Sequence, residues 1–129
     1  MSFARNLYRQ AANQGPAPAQ DPHDIVYITL RELTRALAVL DAAQSQGRGY
    51  PGEHLNRALT ALYILQSSLD FEAGGEIASD LFQLYEFARY HVLKAWKGEA
   101  DARLADAFSA TDDIQKAWEG ISAEARLSA

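Results

Sequence analysis

Large apolar residues recur every three or four positions along this chain, and that spacing constrains its fold more than any other feature. In the first segment that shows it, five such residues run from Val26 to Leu40 at intervals of four, three, four and three. Intervals of this kind place side chains on one face of an α-helix. Three later segments repeat the pattern. The predicted helices cover residues 22–46, 51–71, 76–96 and 99–121.

Glycine and proline separate these segments, and no segment alternates with the period of a β-strand. Helices of matched length with short connections favour an all-α fold, an antiparallel up-down four-helix bundle that occupies residues 21–129. Gly74 or Gly75 is expected at positive φ, closing the helix before it. The residues expected to be largely buried are Leu30, Leu37, Leu59, Leu62, Leu81, Leu84 and Trp118.

Residues 1–20 are predicted to form an N-terminal arm and a proline-containing linker. Phe3 and Leu7 lie four residues apart with Tyr8 beside them, which is typical of a short amphipathic helix. A helix of that length is not stable alone in water, so it should be ordered only when docked. Asp21 is a suitable N-cap for the first helix of the bundle, and Pro22 suits its first position.

Composition excludes several classes of protein. Among 129 residues there are 17 acidic and 12 basic side chains, a net charge of −5, which argues against nucleic-acid binding. The absence of cysteine excludes a disulfide scaffold, a thiolate zinc site and a thiol nucleophile. No run of apolar residues is long enough to span a membrane, and the first residues lack the apolar stretch of a signal peptide. We therefore expect a cytoplasmic protein without membrane insertion.

Motifs for catalysis are also missing. A di-metal site in a helical bundle needs Glu-x-x-His pairs, and none of His23, His54 and His91 follows a glutamate by three positions. Gly74-Gly75 lacks the Lys-Ser/Thr that completes a phosphate-binding loop. We expect no catalytic residues, no metal and no cofactor. His91 lies on the seam of its segment and is expected to be a core or boundary histidine with a hydrogen-bond partner.

Aromatic residues crowd the second and third predicted helices, and a single helix cannot turn all of them onto one seam. Two interpretations follow. The aromatic residues form a wide apolar face covered by neighbouring helices or by the arm, or they form a groove for an amphipathic segment of a partner. The candidate groove residues are Tyr63, Phe71, Ile77, Phe82, Tyr85 and Phe87.

Acidic residues collect at the junction of the same two helices. Between positions 70 and 86 there is no lysine or arginine, and the acidic corner consists of Asp70, Glu72, Glu76 and Asp80. An acidic run of this kind is most often simply a surface exposed to solvent. The arm carries Arg5 and Arg9 and no acid, so the corner could also attract it. On that interpretation, the docked arm competes with a partner's segment for the groove.

The junction resembles a known family. Ser68-Leu69-Asp70, then Gly74-Gly75-Glu76-Ile77-Ala78 and Leu84-Tyr85 are similar to the hallmark of the flagellin-specific secretion chaperones, the FliS family. Trp118 and Tyr8 match further positions of the pattern. The resemblance implies a cytoplasmic export chaperone without catalysis. Such a protein binds the disordered C-terminal segment of flagellin, prevents premature polymerisation and aids delivery to the export apparatus.

Two alternatives remain at this stage. One is a helical-bundle co-chaperone or regulator of flagellar export that does not hold flagellin. The other is a metal- or cofactor-dependent bundle enzyme, against which the missing Glu-x-x-His pairs count. The partners expected from the resemblance are the flagellin segment and the flagellar export gate. An exposed apolar groove also favours a homodimer when no partner is present.

Overall fold

The computed structural model describes residues 22–128, with side chains for residues 23–121. These residues form four helices and no strand, which confirms the all-α bundle. The predicted arm residues Phe3, Leu7 and Tyr8 lie outside the described part, as does the predicted cap Asp21. The helices are α1 (Pro22–Ser45), α2 (Gly52–Ser67), α3 (Phe71–Trp96) and α4 (Leu104–Ser128).

The helices pack as a ring in which α1 and α3 each contact α2 and α4. Two hydrogen bonds show that α1 and α4 are antiparallel. Near the start of α1, the indole of Trp118 donates to the carbonyl oxygen of His23 at 3.2 Å. At the other end, the amide of Gln44 donates to the carbonyl oxygen of Ala102 at 2.7 Å. The first turn of α1 therefore lies beside the later part of α4.

Leucine and alanine fill the core between the four helices. Leu30, Leu37 and Leu62 are completely buried, as the sequence predicts. Leu59 and Leu81 are half-buried and pack against the same core, and Trp118 is likewise half-buried rather than largely buried.

Leu84 departs furthest from the prediction, because this side chain is 39% exposed. The expected stripe on α3 was Ile77, Leu81, Leu84, Ala88, His91 and Ala95. Leu81, Ala88 and Ala95 do lie on the observed core face, which also runs through Tyr85 and Val92. The observed face is therefore rotated from the expected stripe by about 50°, half the turn between adjacent helix positions. The core face is set by three alanines that let α3 approach its neighbours closely. It consists of Ala78, Leu81, Tyr85, Ala88, Val92 and Ala95.

Helix boundaries around α3 also differ from the prediction. The second helix was expected to reach residue 71 and the third to begin at residue 76, but α2 ends at Ser67 and α3 begins at Phe71. Asp70 causes the early start, because its carboxylate accepts a hydrogen bond from the backbone N–H of Ala73 at 3.0 Å. An aspartate at this position replaces a missing helical partner.

Gly75 lies at φ 50° and ψ −122°, inside α3 rather than at the end of α2. The positive φ is as predicted, but its effect is a kink that separates the first turn of α3 from the rest of the helix. The start of α4 also differs, at Leu104 rather than residue 99. The connection between α3 and α4 covers residues 97–103 and contains Gly98 at φ 78°.

Candidate partner-binding site

An apolar cavity of about 330 Å³ opens at the end of the bundle where α1 and α3 begin and α2 and α4 end. All four helices contribute to its lining. Val26 lies near the start of α1 and Leu65 near the end of α2, whereas Tyr85 lies in the middle of α3 and α4 continues for ten residues beyond Trp118. The main lining residues are Val26, Leu65, Ile77, Leu81, Tyr85 and Trp118.

The first turn of α3 forms one wall of this cavity, through Ala73 and Gly74. The cap of Asp70 holds the turn, and the kink at Gly75 sets its direction. A Cβ atom on Gly74 would lie 2.9 Å from the Cβ of Ala78, so the turn approaches the helix body too closely for any side chain there. The glycine pair therefore shapes the cavity wall as well as the chain path.

Tyr85 is a buried polar residue of the cavity wall, which also includes the exposed Ser68 and Asp70. It is only 3% exposed, and burial raises the pKa of Tyr85 to about 12, so the ring stays neutral across the physiological range. A neutral Tyr85 therefore places no buried charge against the apolar side chains of a ligand.

The structure distributes the six predicted groove residues over several places. Ile77, which is 71% exposed, and the buried Tyr85 both line the cavity. Phe71 and Phe82 contact each other edge to face, with ring centroids 6.0 Å apart, and flank the turn that forms the wall.

The other two predicted groove residues lie apart from the cavity. Tyr63 projects from the exposed face of α2. Phe87 packs against His91, with ring centroids 4.6 Å apart, and the guanidinium of Arg103 lies 5.3 Å from its ring. The aromatic residues therefore do not form one continuous groove.

The sequence prediction placed Leu81 and Trp118 in the core and did not recognise them as lining a site. A partial signal was present, since Leu65 lies two residues before the end of α2. Residues on a core stripe that no other element covers leave an incomplete core. Such a surface is where an apolar partner gains most by burial.

The acidic corner lies beside the cavity. All four acids are exposed: Asp70 caps α3, and Glu72, Glu76 and Asp80 lie in its first three turns, on either side of the kink. Negative charge is favourable near a helix N-terminus. Asp70 also lines the cavity, so the acidic surface begins at the edge of the apolar one.

The described residues contain no cluster of three histidine, aspartate or glutamate side chains that could hold a metal ion. Within the same part of the chain, no helix is both long enough and apolar enough to cross a membrane.

The family model described as "Flagellar protein FliS" matches residues 4–125. The chain belongs to the FliS family. It is 31% identical to the flagellar secretion chaperone FliS of Vibrio cholerae over 96% of this chain and 92% of the relative. Identity to FliSB of Pseudomonas aeruginosa is 24%, over 92% and 95% of the two chains. Identity to FliS of Salmonella typhimurium is 28%, over 92% and 89%.

No solved structure matches the chain. The sequence relationship confirms the resemblance predicted from the junction motif. FliS relatives are named secretion chaperones, proteins that act by binding, so this chain is a flagellar export chaperone and not an enzyme.

Proposed function

We propose that this FliS-family protein holds the C-terminal segment of flagellin in the cytoplasm, before that segment is ordered in the filament. Binding prevents premature polymerisation and keeps the subunit ready for delivery to the flagellar export gate. The apolar cavity at the open end of the bundle, with the acidic corner beside it, is the observation that supports this assignment most directly.

The cavity suits a segment that folds on binding. Its volume is at the lower end of the range for ligand sites, about 300–1,000 Å³, so it accepts a few side chains from one face of an amphipathic helix rather than a whole domain. A disordered segment loses conformational entropy when it is ordered, and burial of apolar surface offsets that cost.

The acidic corner has a separate effect. Its exposed carboxylates attract basic groups of an approaching segment and fix its orientation. Charges at the rim of an interface change the association rate and the specificity more than the affinity.

Calorimetry with three flagellin samples tests the proposal. Intact flagellin and the isolated C-terminal segment should bind, and flagellin without that segment should not. Ile77→Asp should weaken binding of the isolated segment by at least about tenfold, or about 1.4 kcal/mol. Ile77 is exposed, so the variant should fold normally.

Trp96→Asp is the matched control, because Trp96 is an exposed apolar residue of the same helix near its opposite end. It should leave the affinity within about twofold, since the site lies about 28 Å away along the helix. If flagellin without its C-terminal segment binds as tightly as intact flagellin, the proposal is wrong. If a folded protein binds no form of flagellin, the role of co-chaperone or regulator takes its place.

A further inference from the structure

The first turn of α1 packs directly against one wall of the apolar cavity. The imidazole of His23 stacks on the indole of Trp118, with ring centroids 4.3 Å apart and an angle of 21° between the ring planes. That separation is just below the usual range for aromatic pairs, about 4.5–7 Å, so the two rings are in contact over their faces. Trp118 lines the cavity, whereas His23 does not. The imidazole can therefore act on a segment in the cavity through the indole rather than by contact.

A second contact from the same residue of α1 holds the edge of the indole. The indole N–H of Trp118 donates to the backbone carbonyl oxygen of His23 at 3.2 Å. A rotation of the indole about this hydrogen bond would keep the donor in place but would separate the two rings. The hydrogen bond and the stack together therefore define one orientation of the indole, which neither contact defines alone.

The backbone of α4 is held in place independently of the stack. Next to Trp118, the carboxylate of Glu119 accepts a hydrogen bond from the hydroxyl of Tyr27 at 3.2 Å and another from the amide of Gln115 at 3.1 Å. The first of these joins α4 to α1 one turn beyond His23, and the two helices also pack against each other. Loss of the His23 ring should therefore release the indole and leave α4 where it is.

The orientation of the indole matters because Trp118 is the largest side chain that lines the cavity. It is half-buried, so part of its apolar surface remains open to a ligand. An indole that is already ordered binds without losing further conformational entropy, whereas a mobile one loses that entropy when the ligand arrives. A fixed indole therefore gives the cavity a higher affinity than a mobile one with the same atoms.

We propose that His23 is a positioning residue of the partner-binding site, which raises the affinity of the cavity by holding Trp118 as a fixed wall. This role rests on the function proposed above, since the bound segment is that of flagellin. A histidine that served only to stabilise the bundle would leave the motion of the indole and the affinity of the folded protein unchanged. The two roles can therefore be separated by experiment.

Fluorescence of Trp118 tests the first step without any partner. The chain has two tryptophans, so Trp96→Phe leaves Trp118 as the only one. Trp96 is exposed and lies far from the cavity, and the substitution keeps an aromatic ring there. In this background, time-resolved anisotropy measures how far the indole moves within the folded protein. His23→Ala should increase the amplitude of its fast motion, and His23→Phe, which retains a ring for stacking, should restore the original amplitude.

His54 provides the matched control. It is another half-buried histidine in the first turn of a helix, but α2 begins at the end of the bundle away from the cavity. His54→Ala should leave the anisotropy of Trp118 unchanged. His23→Leu fills the space of the imidazole without a flat ring, so it should show the changes of His23→Ala to a smaller degree, even where alanine destabilises the bundle. Unaltered motion of the indole in both His23→Ala and His23→Leu would overturn the proposal, whatever the partner is.

Calorimetry with the isolated flagellin segment tests the second step. His23→Ala should weaken binding about three- to tenfold, which corresponds to ordering one large side chain on binding. His23→Phe and His54→Ala should both stay within about twofold of the unmodified protein. Tyr27→Phe removes the hydroxyl that joins α4 to α1 but leaves the stack, and its affinity should stay within the same limit. All of these variants keep the backbone carbonyl that accepts from the indole.

Urea unfolding verifies that each variant is folded under the conditions of the binding experiment. A mobile indole with unchanged affinity would overturn the proposal. Equal weakening by Tyr27→Phe would also overturn it, because attachment of α4 rather than the stack would then control the cavity. If the unmodified protein binds no form of flagellin, the proposed function fails by itself, and the anisotropy of Trp118 still supports or overturns its positioning by His23.

Discussion

At the scale of single residues, His91 links α3 to the start of α4 through a hydrogen bond that only a neutral ring can accept. The side chain is 6% exposed, and the backbone N–H of Arg103 donates to its Nδ1 at 2.9 Å. Burial lowers the pKa of His91, as do the positive charges of Lys94 and Arg103, against a smaller opposite effect of Asp101 and Asp106. The sequence prediction of a boundary histidine with a hydrogen-bond partner is confirmed.

This environment predicts a loss of stability in mild acid. Because the pKa of His91 is lowered in the folded state, the unfolded chain takes up the proton first as pH falls below about 6.5. The free energy of unfolding should therefore decrease through that range, until the folded state is protonated as well. Urea titrations at several pH values between about 7.5 and 5 measure this decrease.

Two variants separate His91 from other groups that titrate in the same range. His91→Phe removes both the proton site and the acceptor, so it should cost about 1–3 kcal/mol at neutral pH and show a weaker decrease in acid. His54→Gln removes an imidazole from α2 and should retain the decrease of the unmodified protein. An unchanged pH dependence in His91→Phe would contradict this account.

Adjacent positions on α2 allow a direct comparison of buried and exposed side chains. Leu62 is completely buried, whereas Tyr63 is 71% exposed. Leu62→Ala should lower the free energy of unfolding by about 2–5 kcal/mol, because it leaves a cavity in the core. Tyr63→Ala should change it by less than about 0.5 kcal/mol. Similar effects of the two substitutions in chemical denaturation would show that α2 presents a different face to the core.

At the scale of elements, the start of α3 depends on backbone geometry that only glycine adopts easily. The φ and ψ of Gly75 lie in a region that a Cβ atom disfavours. Gly75→Ala should therefore cost about 1–3 kcal/mol, and Gly74→Ala combined with it should cost more, because the added Cβ meets Ala78. Thermal unfolding of both variants measures the effect.

Gly49→Ala is the control for this prediction. Gly49 lies outside the positive-φ group, and no atom lies within 4 Å of a Cβ built there. The melting temperature should hardly change. If the Gly74/Gly75 double variant melts like the unmodified protein, the first turn of α3 can take another path and the kink is not required.

Comparison of α1 with α3 shows how far local sequence predicts these elements. The stripe of α1 contains only large aliphatic residues, so its core face was predictable, and Leu30 to Leu40 are buried along it. On α3, large apolar residues occur on several faces, and the alanines that form the core face carry little signal of their own. Which face is buried there depends on how closely the neighbouring helices approach.

At the scale of the whole molecule, the cavity could not be predicted because it has no contiguous sequence. Val26, Leu65 and Trp118 are far apart in the chain and meet only when their three helices pack into the bundle. From its local sequence alone, each of these residues cannot be distinguished from a residue of the hydrophobic core. The acidic corner was predictable, since four acids lie within eleven positions, but its place beside the cavity follows from the packing of α2 and α3.

The N-terminal arm supplies the last prediction. The chain enters α1 at Pro22, at the same end of the bundle as the cavity, and Val26 one turn later already lines it. The sequence of the arm predicts a short amphipathic helix with two arginines, so its apolar face suits the cavity and its charge suits the acidic corner. If the arm competes for the cavity, deletion of residues 1–16 should tighten binding of the flagellin segment.

The expected gain is tenfold for each 1.4 kcal/mol of docking energy that the deletion releases. Leu7→Asp in the full chain should reproduce part of it, because a charge on the apolar face of the arm opposes docking. Calorimetry with the isolated flagellin segment compares the three proteins, and urea unfolding verifies that the bundle stays intact. An arm that completes the binding surface would make the truncated protein bind more weakly, and one that never docks would leave the affinity unchanged. Either result, with the bundle folded, rejects competition by the arm.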